Sequence, residues 1–172
     1  MNRIKLVVPT KEHEAVAKEY VEEHHKNGEF VLYGSALLGK KTYDDWLVQL
    51  KNNSDKNTVD PKWVVSSTYF AVSDEKIIGM IDIRHTLNQY LQNYGGHIGY
   101  GVHPAERNKG YATEILLLGI NYCKDLGLKK IMLVCHKENH GSRRTIEKCG
   151  GKFDREFTYT DGEHFQVYLI CV

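Results

Sequence analysis

The sequence predicts an α+β fold, a mixed and mostly antiparallel sheet with helices on both faces, and three observations carry that reading. Two runs rich in β-branched and aromatic residues, 63–72 and 76–85, flank the tight turn Ser73-Asp74-Glu75-Lys76 and read as an antiparallel hairpin. The clearest helical pattern, opening after Gly110, lies between two short strand-like runs, 97–102 and 129–136. Strand, crossover helix and strand make a right-handed βαβ unit with parallel strands. The chain then closes on two further strand-like runs, 151–160 and 163–172, around Asp161-Gly162.

Taken in order, residues 3–9 read as a first strand ended by Pro9, after which Thr10 can cap a helix running through Ala15, Ala17, Tyr20 and Val21. Residues 28–41 are irregular and punctuated by glycine. From Thr42, a second cap, helical spacing returns with Trp46, Leu47 and Leu50 on one side, and 52–60 reads as a surface loop. The hairpin follows, and 86–96 carries too little pattern for anything but a loop. In the helix after Gly110, the residues Ala112, Ile115, Gly119, Tyr122 and Leu126 form one apolar stripe, and Gly127 followed by Leu128 suits a glycine C-cap. The run 129–136 is apolar enough to be buried on both faces, and 142–150 reads as a short helix.

The length of 172 residues fits one domain spanning 1–172, with 41% hydrophobic and 26% charged residues. Lys and Arg number 23 against 22 Asp and Glu, so a net charge of +1 gives no whole-surface attraction to nucleic acid or anionic membrane. No apolar run approaches the ~20 residues that span a bilayer, and the N-terminal stretch turns charged too soon for a signal peptide. Cys123, Cys135, Cys149 and Cys171 are widely spaced without a C-x-x-C, which reads as reduced thiols in a cytoplasmic protein. His136 and His140 are four apart but straddle a strand end, so no metal site is expected.

The run GYGVHPAERNKGYATEILLLG, residues 99–119, carries the functional reading. A strand, a basic glycine loop and a helix start follow one another. Unpaired N–H groups at a helix mouth attract anions, Gly110 lets an anion approach the backbone, and Arg107 and Lys109 add charge. A diphosphate suits this arrangement best. A P-loop is excluded because Lys109 precedes Gly110 with no Ser or Thr after it, and a Rossmann turn because Gly99 and Gly101 lie inside the strand.

The run RNKGYA resembles the R/Q-x-x-G-x-G/A signature of the GNAT superfamily of acyl-CoA-dependent N-acyltransferases. The likeness continues through GGHIGYGVHP before it and KKIMLVCHKENHGSRRTIEKCGGKF after it, where Asn139 and Ser142 match the family's Asn-x-x-Ser motif. It covers nearly the whole chain in element order and is strongest over 95–153. The resemblance implies the GNAT fold with a splay between its central strands, and acetyl-CoA as co-substrate without a metal. It also implies a pyrophosphate loop of Arg107, Asn108, Lys109, Gly110, Tyr111 and Ala112 with Thr113 adjacent. Val102 would offer backbone groups to the pantetheine, and Asn139 and Ser142 would contact the coenzyme across the splay. Arg143, Arg144 and Lys148 are candidates for the 3′-phosphate or simply solvated helix charges.

Direct acetyl transfer needs a neutral amine, a stabilised carbonyl oxygen and a protonated leaving thiolate. His97 is the expected base, standing where histone acetyltransferases of the superfamily carry a glutamate, with His85 and Asp82 in reserve. Many relatives place a proton-donating tyrosine where this chain has Ile146, leaving Tyr159 or Tyr168 as substitutes. Tyr33, Arg84 and Asn88, with Ser35 and Tyr94, are expected to line the acceptor pocket, and Arg84 could meet an acceptor carboxylate. The expected activity is N-acetylation of a primary amine on a small molecule or peptide. A catalytically silent coenzyme A sensor is the alternative. Similar proteins are commonly homodimers, and no segment here marks an interface.

Overall fold

The computed structural model describes residues 3–172. Its strands and helices follow in the order β1 (Lys5–Val7), α1 (Glu14–Lys26), α2 (Tyr43–Asn53), β2 (Ser66–Ser73), β3 (Lys76–Arg84), β4 (Ile98–Val102), α3 (Tyr111–Asp125), β5 (Lys130–His136), α4 (His140–Lys148), β6 (Lys152–Thr158) and β7 (His164–Cys171). Two antiparallel sheets result, ordered β1-β2-β3-β4 and β5-β7-β6. The β2–β3 hairpin turns through Asp74 and Glu75, both at positive φ, as a two-residue turn matched to strand twist requires.

Side-chain alternation sends opposite faces of the sheets into two cores. Ile81, Ile83, Ile98, Val102, Ile131 and Leu133 pack with Ile115, Leu116 and Ile120 of α3 and Ile146 of α4. Phe70 and Met80 pack instead with Ala17 and Tyr20 of α1 and Tyr43 and Trp46 of α2. Thr42 caps α2, its hydroxyl accepting the Asp45 N–H at 3.2 Å. Thr10 opens a 3₁₀ turn, Lys11–His13, that leads into α1, its N–H donating to His13 Nδ1 at 3.0 Å.

Two local expectations change. The buried face of α3 is Ile115, Leu116, Gly119, Ile120 and Cys123, because the helix lies across both β3 and β4 and needs a broader stripe. Leu126 is past its last turn and 39% exposed. The segment 86–96 contains a π-helical turn, Leu91–Gly95, whose start Asn88 holds by accepting the Leu91 N–H at 2.9 Å.

Candidate active site

The two sheets meet at one point and part from there. His103 N–H donates to Ile78 O and Arg84 N–H to His97 O, both at 2.8 Å, so the odd-numbered residues of β4 turn their backbone groups toward β3. Ile98, Tyr100 and Val102 therefore present theirs at the opposite edge. On β5, the bonds from Val172 N–H to Lys129 O and from Lys137 N–H to His164 O turn the odd residues toward β7, leaving Met132 and Val134 facing β4. The facing edges are joined where His97 N–H donates to Met132 O at 2.7 Å and Met132 N–H donates to His97 Nδ1 at 3.0 Å. Beyond that clasp no backbone hydrogen bond among the described residues joins β4 to β5. A cleft edged by free strand donors and acceptors is the consequence, suited to a chain carrying amides of its own. At its outer end the Val102 carbonyl accepts Arg107 Nε at 3.3 Å.

The loop after β4 is a second array of free donors. The N–H groups of residues 108–112 have no partner among the described residues, whereas those of Thr113 and Glu114 bond to Gly110 O at 3.1 and 3.4 Å. Asn108 and Gly110 both have positive φ, 61° and 86°, which turns successive amides outward into a concave nest at the mouth of α3. Arg3, far away in sequence, completes the rim. Its guanidinium donates to Lys109 O at 2.9 Å, lies 4.3 Å from the Tyr111 ring centroid and pairs with Glu114. The donor set fits a diphosphate, and nothing local in the sequence around Gly110 signals the contribution of Arg3.

Arg107, however, is committed elsewhere. It forms a two-pronged ion pair with Glu29, both N–O distances 2.6 Å, and Glu29 also takes a hydrogen bond from the buried His24 at 2.8 Å. The Arg107 guanidinium, chiefly, holds the Glu29 carboxyl down at about 2. The phosphate loop is thereby tied to the 28–41 loop by charge. Lys109 is likewise paired, with Glu106 at 2.9 Å.

The 28–41 loop lies over the face of β4 opposite α3. Gly34, at φ 72°, packs its backbone on Gly99 and Tyr100, and a Cβ there would stand 2.7 Å from Gly99 O. A Cβ on Gly101 would meet Tyr33 O at 2.8 Å. Trp46 Nε1 donates to Ser35 O at 3.0 Å and Gln49 Nε2 to Ala36 O at 2.9 Å, fixing the loop from α2. Tyr33 then reaches past the cleft to β5, where its hydroxyl and His136 Nε2 are 2.9 Å apart.

Strand parity separates the expected site residues. Arg84 is on the face of β4 that the 28–41 loop covers, its guanidinium nitrogens 3.7 Å from the position of a Gly99 Cβ and its Nε 3.1 Å from Asp82. His85 is on the opposite face, bonded to Ser67 at 2.8 Å beside Tyr122, so it cannot serve as the base there. His97 is buried with the Nδ1 lone pair already taken by Met132 N–H, and burial chiefly pushes its pKa down. It clasps the closed end of the cleft and has no free lone pair to offer while that bond holds. Asn88 is engaged instead by the Leu91 N–H and by Lys62 O.

Asn139 caps α4, accepting the Ser142 N–H at 3.0 Å, while the Ser142 hydroxyl bonds Tyr100 OH at 3.0 Å. Asn139 is thus engaged by its own helix at the surface, and Ser142 anchors α4 to β4. Arg143 is bent back onto Tyr168 OH at 3.3 Å and Lys137 O at 3.2 Å. Tyr168 is buried in the core and Tyr159 pairs with Tyr90, hydroxyl to hydroxyl, at 3.1 Å, so neither points to the cleft. Tyr94 packs against Phe157 and Tyr159 of the last hairpin, 5.3 Å from each. Sequence reasoning missed His136 as a cleft residue. The signal was its parity with Val134, opposite to the buried Cys135.

His97 carries a testable consequence for stability. Burial, chiefly, lowers the pKa of His24, His85, His97 and His103, so the unfolded chain takes up protons below about 6.5 more readily than the fold does. Stability therefore falls as pH drops through that value, and falls again toward pH 2 as Glu29 is protonated. The Tm should decline between pH 7.5 and 5.5. His97→Gln, which keeps an acceptor for Met132 N–H, should flatten that decline and leave turnover within a few-fold.

Among the described residues no helix is long and apolar enough to cross a membrane, and no cluster of three or more His, Cys, Asp or Glu side chains could hold a metal. Comparison with solved structures finds the same fold across nearly the full chain. The ribosomal-protein-S5-alanine acetyltransferase from Vibrio fischeri superposes with TM-score 0.73 at 15% identity, covering 99% of this chain and 94% of that one. RimJ of Mycobacterium smegmatis, solved with a coenzyme A disulfide, gives 0.69 at 16%, covering 98% and 81%. The microcin C7 self-immunity acetyltransferase MccE, solved with acetyl-CoA and AMP, gives 0.69 at 16%, covering 100% and 94%. None of the curated proteins matches the sequence. The family description that matches residues 3–152 is "Acetyltransferase (GNAT) domain". With a splayed strand pair, a free amide nest and that match together, the chain belongs to the GNAT acetyltransferases and is an acetyl-CoA-dependent acyltransferase.

Proposed function

We propose that the protein transfers the acetyl group of acetyl-CoA to a primary amine of a small molecule or peptide by direct attack. The observation that carries this is one row of free backbone donors in two parts, the 108–112 nest and the open edge of β4, with the internally bonded turn 103–107 between them. Laid along it, the diphosphate would meet residues 108–112 and Arg3, and the pantetheine would pair with Tyr100, Val102 and Val134. The Tyr100 N–H is then the donor nearest the reacting carbonyl, a role worth a few kcal/mol where charge develops. Access for the amine is from the side of the cleft that the 28–41 loop borders, where that loop packs on Gly99 and Gly101 and Arg84 supplies a fixed cation. Four free thiols support a reducing, cytoplasmic setting.

Release of coenzyme A thiol across a panel of amines tests the reading. A peptide amine belongs in the panel because the Vibrio fischeri neighbour is by name a ribosomal-protein alanine acetyltransferase. Acceptor-dependent release supports it, and coenzyme A binding without release from any amine would favour a silent sensor. Arg84 should select acceptors bearing a carboxylate. Arg84→Leu is expected to lower kcat/KM about 10-fold or more for such acceptors, the scale of one charged hydrogen bond, and to leave their amide analogues unchanged.

A further inference from the structure

With Ile146 where relatives carry a tyrosine, and Tyr159 and Tyr168 turned away, the leaving sulfur has no evident proton donor. One phenol does lie over the cleft. Tyr33 is positioned by backbone contact with β4 at Gly101, is half exposed, and spans to His136 on β5 at 2.9 Å. His136 is itself held by the Phe165 ring, whose centroid is 4.1 Å away, and its Nδ1 is 3.8 Å from Glu163 Oε2. These groups come from three separate parts of the chain: the 28–41 loop, β5 and the final hairpin.

We infer that Tyr33 protonates the departing thiolate and that His136 links this proton to the one shed by the amine. The inference rests on the acetyl-transfer reading above. In the step, the nitrogen–carbon bond forms and the carbon–sulfur bond breaks. The amine proton is taken at His136 Nδ1, the Nε2 proton passes to the Tyr33 oxygen, and the Tyr33 hydroxyl proton goes to sulfur. One proton has moved from nitrogen to sulfur, Tyr33 is restored, and solvent exchange returns the half-buried imidazole to its first tautomer. Glu163 steadies the positive charge that passes through the ring. Burial, chiefly, with Glu163 and Glu29 adding, raises the Tyr33 pKa, so the phenol is protonated at neutral pH and ready to donate.

A simple latch would use the same hydrogen bond, and His136→Gln separates the two roles. Glutamine can still bond the Tyr33 hydroxyl but cannot relay a proton. For the relay, His136→Gln and Tyr33→Phe each lower kcat about 100-fold or more, within the span of general acid–base catalysis. The KM for acetyl-CoA and coenzyme A affinity by calorimetry should stay near wild type. In the unliganded protein, nitrogen-15 spectra should show His136 protonated at Nε2, with signals that shift in Tyr33→Phe. A wild-type enzyme that turns over while His136→Gln stays within threefold of it overturns the relay alone, as do His136 signals indifferent to Tyr33→Phe. Coenzyme A binding with no turnover of any amine overturns the acetyl-transfer reading, and the relay with it.

Discussion

Gly110→Asp should abolish coenzyme A binding, raising the Kd by more than about 100-fold, while the protein still folds. Gly110 has φ 86°, a conformation that costs an L-residue about 1–3 kcal/mol, so some loss of stability is expected from the backbone alone. The larger effect is on the ligand. Residues 108–112 offer their N–H groups outward as a nest for a diphosphate, and a carboxylate at position 110 would stand at its rim. Arg3 is 3.3 Å from where that Cβ would be, close enough for its guanidinium to turn to the new carboxylate. The site would then hold an anion of its own. Gly110→Ala separates the causes, since it adds the backbone strain without the charge. It should weaken binding by a smaller factor, about 10-fold, and lower the Tm by a similar amount to aspartate. Calorimetric titration with coenzyme A, alongside thermal melts of both variants, checks this. Aspartate binding as tightly as wild type would refute the nest as the diphosphate site.

The parts of this arrangement that local sequence dictates were legible from it. The β-branched content of 76–85 gives β3, the Gly110 boundary gives the start of α3, and RNKGYA gives the loop with its free amides. What was hidden depended on contacts distant along the chain. Arg107 reads as a phosphate ligand until Glu29, 78 residues earlier, is seen to hold it. Asn139 and Ser142 read as ligand contacts, yet an Asn three residues before a Ser is also an N-cap, and the local demand takes the side chain. His97 reads as the base because of the family position it matches, with His85 in reserve. Strand parity puts His85 on the opposite face, and His97 joins β4 to β5 through its backbone N–H and its ring at the point where the strands part. His136 reads only as one of two histidines that make no metal site, although the alternation Cys135-in, His136-out is readable. What the alternation does not show is that Tyr33, 103 residues earlier, reaches it.

The contact that seats the 28–41 loop on the proposed acceptor face of β4 is that of Gly34, and Gly34→Val should eliminate it. A Cβ at this position would stand 2.7 Å from Gly99 O, 2.8 Å from Tyr100 Cα and 2.9 Å from Met80 O. All three are backbone atoms of paired strands and cannot give way as a side-chain end could. The positive φ of 72° adds strain that a β-branched residue tolerates least. The 28–41 loop must therefore lift from β4, taking the Tyr33 hydroxyl from His136 and the backbone of Tyr33 from Gly101. Its outer anchors are independent of that contact, since Glu29 is held by Arg107 and the Ser35 and Ala36 carbonyls by Trp46 and Gln49. The displacement should be confined to the middle of the loop, and the fold should survive with a Tm lowered by a few degrees. Coenzyme A binds along β4 and the 108–112 nest on this reading, neither of which the loop builds, so its affinity should change less than about threefold. Acceptor turnover should fall about 100-fold or more, because general acid–base groups contribute on that scale and the phenol no longer reaches the cleft. Calorimetry and thiol release measured on one preparation separate these effects. Equal losses in coenzyme A affinity and turnover would mean that the loop belongs to the coenzyme site, and unchanged turnover would mean that the reaction does not use this face of β4.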